Sequence, residues 1–144
     1  MKNQEIAHIF ENMADILELQ GEISFKVNAY RKASRVMKDL QEDIGQLAHD
    51  GKLRELPGIG EALVKKITEY LETGHIRKYE EISHEVSPEL LSLLKIQNLG
   101  PRTLALANQK LNVKNIDDLV RVIEDGSLAR LPGMGQKKVE NICS

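Results

Sequence analysis

The sequence predicts an all-α protein built from tandem helical hairpins. Apolar side chains recur three or four residues apart, as at Ile6, Ile9, Phe10 and Met13, and this spacing places them on one face of a helix. Runs with the alternating pattern of a β-strand are almost absent. Helices are expected at about residues 4–19, 25–40, 60–73, 76–84, 88–96, 101–110, 115–124 and 136–142.

Capping residues mark the ends of these helices. Four glycines follow a helical pattern and are expected to close it in the left-handed conformation: Gly21, Gly51, Gly74 and Gly126. Ser24 and Ser87 are expected to act as N-caps, and Pro88 suits the first position of the helix after Ser87.

Length and composition limit the classes of protein. The chain has 144 residues, enough for one or two small domains, and its single cysteine, Cys143, excludes an internal disulfide and a cysteine-based zinc site. No run of about 18 apolar residues predicts a membrane span, and no secretory signal is visible. We expect a cytoplasmic monomer that does not associate with membranes. No Asp-x-Asp pair is present to hold catalytic magnesium ions, so polymerase chemistry is not expected in this chain.

Three glycine turns, each followed by a helical pattern, are the main functional signal. They are Leu56-Pro57-Gly58-Ile59-Gly60, Asn98-Leu99-Gly100-Pro101 and Leu131-Pro132-Gly133-Met134-Gly135. The first N–H groups of a helix have no partner within it, and they lie at the positive end of the helix dipole. Such a turn can therefore bind a phosphate, and its repetition indicates contact with a phosphodiester chain at several points. The alternative is that the glycines only build turns between helices.

The expected DNA-binding residues come from these turns and the helices after them. They are Gly58, Gly60, Ala62, Gly100, Arg102, Gly133, Gly135 and Lys137. In the second turn, Asn98 stands where a first glycine is usual, and asparagine tolerates the left-handed conformation better than most residues.

The charge pattern leaves two interpretations open. A net charge of −2 argues against a nucleic-acid partner, yet five basic residues between Lys26 and Lys38 occur without an acidic residue among them. This basic segment is either part of a phosphate-binding surface or a solvated helix face. Because backbone N–H groups can also hold phosphates, a small number of lysines does not exclude DNA.

A domain boundary is expected near residues 80–87, which divides the chain into 1–82 and 83–144. The first part holds four helical segments and the first turn, and the second holds the other two turns. The last helix has only residues 136–142 before the chain ends at Ser144. We therefore expect the third unit to be a truncated part of a longer parent chain.

The turns match the helix-hairpin-helix motif of DNA-repair proteins, and the resemblance extends further. The segment from Phe25 to Ala33, followed by the first hairpin and Lys65-Lys66-Ile67, resembles the N-terminal lyase domain of family X DNA polymerases, the polymerase beta group. Residues 96–103 and 115–119 resemble that family's second hairpin unit. A third hairpin is similar to bacterial and archaeal members. The resemblance implies a four-helix lyase-like domain followed by further hairpin units.

Lys66 is the candidate catalytic residue. It lies three residues after Leu63 and flanks the apolar face of its helix, where partial loss of hydration and nearby cations favour the neutral amine. A neutral amine can form a Schiff base with the aldehyde of an abasic sugar. Lys66 also matches the Schiff-base lysine of the family's deoxyribose-phosphate lyase. The alternative is a lysine that only reaches toward DNA with its charged end.

The resemblance implies a pocket for a 5′-phosphate and a pair of cation sites. The pocket would use Lys26, Tyr30 and Arg54, although Phe25 replaces the family's histidine and Ala62 replaces a lysine. A monovalent cation, Na⁺ or K⁺, would be held by backbone carbonyls at the hairpins. The carbonyls are those of Arg54, Leu56 and Ile59 in the first unit and Leu94, Ile96 and Leu99 in the second. No other cofactor is expected.

The expected function is therefore sequence-independent binding of gapped or nicked DNA at its 5′-phosphate end, in base excision repair. The chain would be the N-terminal part of a bacterial or archaeal family X repair polymerase. A second interpretation adds lyase catalysis through Lys66. A third is a non-catalytic helix-hairpin-helix adaptor for a nuclease or helicase.

Overall fold

All regular secondary structure in residues 2–96 and 98–143, the part of the chain that the computed structural model describes, is helical. The α-helices are α1 (Asn3–Leu19), α2 (Ser24–Asp39), α3 (Ile44–His49), α4 (Glu61–Thr73), α5 (Arg77–Glu85), α6 (Pro88–Leu93), α7 (Pro101–Leu111), α8 (Ile116–Glu124) and α9 (Gln136–Cys143). Short 3-10 helices span Leu53–Glu55 and Leu128–Arg130. The predicted all-α fold is confirmed. None of the described helices is long and apolar enough to cross a lipid bilayer.

Met1, Gln97 and Ser144 lie outside the described residues. Gln97 falls within the segment 96–103, on which part of the family resemblance rests, and Ser144 is the residue on which the expected truncation rests. That truncation stays a prediction.

The chain divides into two compact units. The first contains the residues up to Leu17 together with Glu22–His84, and the second contains Glu18–Gly21 together with the residues from Glu85 onward. The first unit therefore carries the first hairpin, and the second unit carries the other two. The division into domains 1–82 and 83–144 stays a prediction.

The core of the first unit comes from the apolar faces of its helices. Ile6, Phe10 and Met13 of α1 are fully buried, as their spacing predicts. The Phe10 ring meets the Tyr30 ring edge-on, with 5.8 Å between their centres. The sequence indicated α1 and α2 because a continuous apolar face repeats over several turns of each.

Polar contacts fix a short helix that sequence reasoning did not predict. Asn3, only 1% exposed, accepts a hydrogen bond from the Ile44 N–H at 2.9 Å and donates to the Glu42 carbonyl at 2.7 Å. Asp43 caps α3 by accepting from the Gly45 N–H at 3.1 Å. With six residues, α3 is too short to show a repeating apolar pattern, and tertiary contacts stabilise it instead.

The predicted helix ends are partly correct. All four C-terminal glycines adopt positive φ angles, between 70° and 82°. Ser87 caps α6 by accepting from the Leu90 N–H at 3.2 Å. The expectation for Ser24 is wrong: it lies inside α2, and Ile23 occupies the N-cap position without a side-chain hydrogen bond. The α6 helix ends at Leu93 rather than at residue 96, because the chain turns there toward the second hairpin.

Candidate nucleic-acid interface

The first hairpin leaves backbone donors free at the start of α4. Gly58 has a φ of 83°, whereas Gly60 is the N-cap of the helix with extended angles of −81° and 174°. The turn closes through the Ile59 N–H on the Leu56 carbonyl at 3.3 Å. No acceptor in the described residues takes the N–H of Gly60 or Ala62. A Cβ on Gly60 would meet nothing within 4 Å, so its surface is open to a ligand.

Lys32 and Arg35 border the first hairpin, and the sequence indicated them only as members of the basic segment Lys26–Lys38, not as individual site residues. The Lys32 side chain crosses Gly58 so closely that a Cβ there would lie 2.8 Å from the Lys32 Cε. Both residues line a groove of about 440 Å³ together with Leu56 and Pro57. The signal in the sequence was the basic segment Lys26–Lys38, but only the fold reveals which of its members reach the hairpin.

The second hairpin keeps its turn despite the asparagine. Asn98 has a φ of 70°, as expected for a residue that tolerates this conformation, and Gly100 also has a φ of 70°. The Asn98 side-chain amide donates to the Asn141 carbonyl of α9 at 3.1 Å. Asparagine therefore supplies a contact between the second and third hairpins that glycine could not make.

The third hairpin differs from the first although the two peptides are nearly identical. Gly133 has a φ of 80°, but Gly135 has a φ of 107°, in contrast to the extended Gly60. The Gly135 N–H donates to the Ala129 carbonyl at 3.1 Å, so it is already paired within the turn. The Gly135 N–H is therefore not free in this conformation, and the expected role of Gly135 in DNA binding stays a prediction. The exposed side chains of Arg102 and Lys137 lie in the first turns of α7 and α9.

Lys66 is half-buried beside other cations. Its neighbours Leu63 and Ile67 are buried, so it flanks the apolar face of α4, as the helical spacing predicted. Burial lowers the pKa of Lys66, and the positive charges of Lys78 and Lys26 lower it further, while Glu69 opposes them. This arrangement favours the neutral amine more than a solvated lysine does.

The three residues expected to bind a 5′-phosphate have different surroundings. Lys26 stays half-exposed, with its ammonium 3.7 Å from Glu22. Tyr30 is only 6% exposed and packs on Phe10, and burial raises its pKa. Tyr30 is thus primarily a core residue.

Arg54 is bound by a carboxylate. Its Nε and Nη2 atoms each donate to a Glu61 oxygen at 2.7 Å. These hydrogen bonds raise the pKa of Arg54 and lower that of Glu61. Arg54 lines a cleft with Lys65 and Thr68, and Lys26 and Lys66 are not among the residues lining it. A phosphate would have to compete with Glu61 for this guanidinium.

Backbone oxygens, rather than acidic clusters, are the candidate cation ligands. The described residues contain no group of three or more His, Cys, Asp or Glu side chains that could hold a metal ion. The Leu56 carbonyl accepts one hydrogen bond from Ile59, and the Ile96 carbonyl accepts one from Leu99 at 3.2 Å. A carbonyl oxygen has two lone pairs, so each of these two oxygens keeps one lone pair that its hydrogen bond does not use, and the expected cation sites stay a prediction.

Known proteins share this organisation. Residues 1–76 match the helix-hairpin-helix domain family, and residues 89–144 match the SAM-like helix-hairpin-helix tandem family. The chain is 32% identical over 142 residues to DNA polymerase/3′-5′ exonuclease PolX of Bacillus subtilis (strain 168), a match covering 99% of this chain and 24% of that protein. It is 29% identical over 101 residues to DNA polymerase lambda of Rattus norvegicus, covering 70% of this chain and 17% of that protein.

The chain thus spans a quarter or less of the length of these two relatives. The matches confirm the resemblance to family X polymerases that the first hairpin and the segment around Tyr30 indicated. The chain belongs to the helix-hairpin-helix family and corresponds to the helix-hairpin-helix region of a family X DNA polymerase.

Proposed function

We propose that this chain binds the phosphates of DNA without reading base sequence, as part of a family X repair polymerase. The observation that carries the proposal is the first hairpin, where the N–H groups of Gly60 and Ala62 are free and the surface over Gly60 is open. Helix α4 has 13 residues, and its dipole favours an anion at this end. Backbone donors contact phosphate oxygens in the same way at any sequence.

Basic side chains at the first hairpin support the same function. Lys32 lies against Gly58, and with Arg35 it lines a groove at Leu56 and Pro57 that also holds Asp39, so the two basic side chains leave a net positive charge next to the turn. A monovalent cation, Na⁺ or K⁺, would join them on the carbonyls of Arg54, Leu56 and Ile59, with Leu94, Ile96 and Leu99 as the equivalent set in the second unit. Such a cation supplies positive charge between the hairpin oxygens and a phosphate. These local charges offset the net charge of −2 of the whole chain.

The preferred DNA is a gapped or nicked duplex with a 5′-phosphate. Lys26 supports this choice because it lies close enough to Lys66 for its positive charge to lower the pKa of Lys66, as the charge of Lys78 also does. Lys26, Lys66 and Lys78 outnumber the carboxylates of Glu22 and Glu69 that act on them. This excess of positive charge favours a group with two negative charges, such as a terminal phosphate, over a phosphodiester with one. Arg54 would contribute once it exchanges Glu61 for the phosphate.

Affinity for gapped DNA with and without a 5′-phosphate tests this proposal. We expect tighter binding to the phosphorylated gap, measured by fluorescence anisotropy on otherwise identical duplexes. Equal affinity would favour the adaptor interpretation, in which a nuclease or helicase partner provides specificity. Absence of binding to either duplex would rule out the DNA-binding function.

A second function, deoxyribose-phosphate lyase activity, is favoured by the half-buried Lys66 beside Lys26 and Lys78. The neutral amine would attack C1′ of the ring-opened sugar and lose water to form a Schiff base. Removal of a C2′ proton would then break the C3′–O3′ bond and leave a 5′-phosphate on the DNA.

Borohydride reduces a Schiff base to a stable crosslink, so trapping on incised abasic DNA tests the lyase. We expect the wild type to trap and Lys66→Ala to lose trapping while it still binds the DNA. Equal trapping by both proteins, or trapping by neither, would reject this function. Lys65→Ala, which changes the neighbouring lysine on α4, is the matched control and should trap like the wild type.

A further inference from the structure

A small polar cavity lies between the second and third hairpins, within the second unit. It has a volume of about 280 Å³ and is lined by Asn98, Thr103, Met134, Lys138 and Asn141. We name it the Lys138 cavity. No carboxylate lines it, so its one charged group is the Lys138 ammonium. Sites for drug-sized ligands occupy roughly 300–1,000 Å³, and this cavity lies just below that range.

Lys138 is held in position by its own hairpin. Its Nζ donates to the Gly133 carbonyl at 2.7 Å. An ammonium has three N–H donors, so two remain for a ligand. Since the Gly135 N–H is already paired with Ala129, this hairpin has lost a backbone donor that the first hairpin keeps at Gly60. The lysine adds charge and donors to a turn in which the Gly135 N–H is not available.

Neutral donors complete the cavity. Asn98 uses one N–H of its side-chain amide on the Asn141 carbonyl and keeps the other. The half-buried Thr103 adds a hydroxyl from the first turn of α7. One cation with two neutral donors and no acidic side chain selects a small anion with several oxygen acceptors.

We propose that the Lys138 cavity binds one phosphate group, with Lys138, Thr103 and Asn98 as its side-chain donors. This inference rests on the proposed DNA-binding function for the source of that phosphate, which is a phosphodiester of the DNA backbone. Free inorganic phosphate offers the same chemistry, and the test separates the two sources. The third hairpin thus uses a lysine side chain in place of the paired Gly135 N–H, whereas the first hairpin keeps the equivalent Gly60 N–H free.

The test compares Lys138→Ala with Lys110→Ala, which removes the same charge from an exposed position at the end of α7. We expect Lys138→Ala to weaken binding to a gapped duplex roughly tenfold, as for loss of a charge-assisted hydrogen bond. The slope of log affinity against log salt should fall by about 0.9, the value for one lost phosphate contact. Lys110→Ala should change neither quantity. Thr103→Val, which keeps the charge, should weaken binding without changing the slope.

Nitrogen-15 NMR of the Asn98 side-chain amide identifies the phosphate source. A shift with inorganic phosphate alone would mean that the free anion suffices, and a shift with DNA alone would identify a phosphodiester. If the wild type binds DNA, neither titration moves the Asn98 signal and Lys138→Ala behaves like Lys110→Ala, the inference is wrong and the proposed function stands. If inorganic phosphate moves the signal but DNA does not bind, the cavity is an anion site and the proposed function is wrong. No response to either ligand overturns both.

Discussion

At the residue scale, Lys66 shows how surroundings change the chemistry of a side chain. It lies at the edge of an apolar helix face, and two other lysines act on it from α2 and α5. Burial and like charges both disfavour the protonated form, so both lower its pKa from the usual value of about 10.4. The consequence is a larger fraction of neutral amine at neutral pH than a solvated lysine has.

The pH dependence of borohydride trapping follows from this pKa. We expect the midpoint of the rising trapping rate to lie below the pKa of a free lysine. Lys78→Met removes a positive charge that disfavours the ammonium form of Lys66, so the pKa of Lys66 and the trapping midpoint should both rise. Lys65→Met should leave the midpoint unchanged, because Lys65 is not among the charges that shift the pKa of Lys66. An unchanged midpoint in Lys78→Met would contradict this electrostatic account.

The same pKa has a defined effect on stability. Because the pKa of Lys66 is lower in the folded state, the folded protein binds fewer protons than the unfolded chain between the two pKa values. The free energy of unfolding should therefore increase as the pH rises through this interval, so that the folded protein becomes more stable with respect to Lys66.

At the element scale, the three hairpins are similar in sequence but differ in backbone conformation. The first and third peptides are nearly identical, yet Gly60 is extended and Gly135 has a φ of 107°. In conformation the third hairpin is closer to the second, where Gly100 also has a positive φ. Sequence similarity alone would have predicted that the first and third hairpins share a backbone conformation.

Glu61 is the element-scale feature that opposes phosphate binding. It occupies the first position of α4, directly after the free Gly60 N–H, and binds Arg54 with both oxygens. Glu61→Gln removes the negative charge and weakens the hold on Arg54. We therefore expect severalfold tighter binding of 5′-phosphorylated gapped DNA at low salt, with the gain shrinking as salt screens the charges.

Glu72→Gln is the matched control for this prediction. It removes the same charge from an exposed position near the other end of α4. It should raise affinity less than Glu61→Gln does. Equal gains in the two variants would show that only net charge matters and that the position of Glu61 at the hairpin does not.

At the scale of the whole molecule, the sequence predicted the all-α class and the long helices because their apolar faces repeat over several turns. It also predicted the glycine turns and the edge position of Lys66, since both follow from local spacing. It missed α3, which depends on Asn3 some 41 residues from Ile44. Tertiary contacts of this kind leave no local pattern in the sequence.

The partners of the candidate site residues were harder to predict for the same reason. Arg54 and Glu61 form an ion pair across the first hairpin, and Tyr30 faces the core at Phe10. The motif around Tyr30 identified the family, but motif residues that suggest a phosphate pocket can serve packing instead. The contact of Lys32 with Gly58 singled it out among the residues of the basic segment Lys26–Lys38.

The central claim is that backbone donors at the first hairpin hold a phosphate, and the affinity of Gly60→Ala for a 5′-phosphorylated gapped duplex tests it most directly. The φ of Gly60 is −81° and a Cβ there has open space, so alanine should fold without backbone strain, although it is a poorer N-cap than glycine and should lower the free energy of unfolding by about 1 kcal/mol or less. Gly45→Ala, another unstrained change in the same unit, is the control. We predict roughly tenfold weaker binding for Gly60→Ala, because its methyl group displaces the phosphate from the free N–H groups, and wild-type affinity for Gly45→Ala. Wild-type affinity in both folded variants would contradict the account.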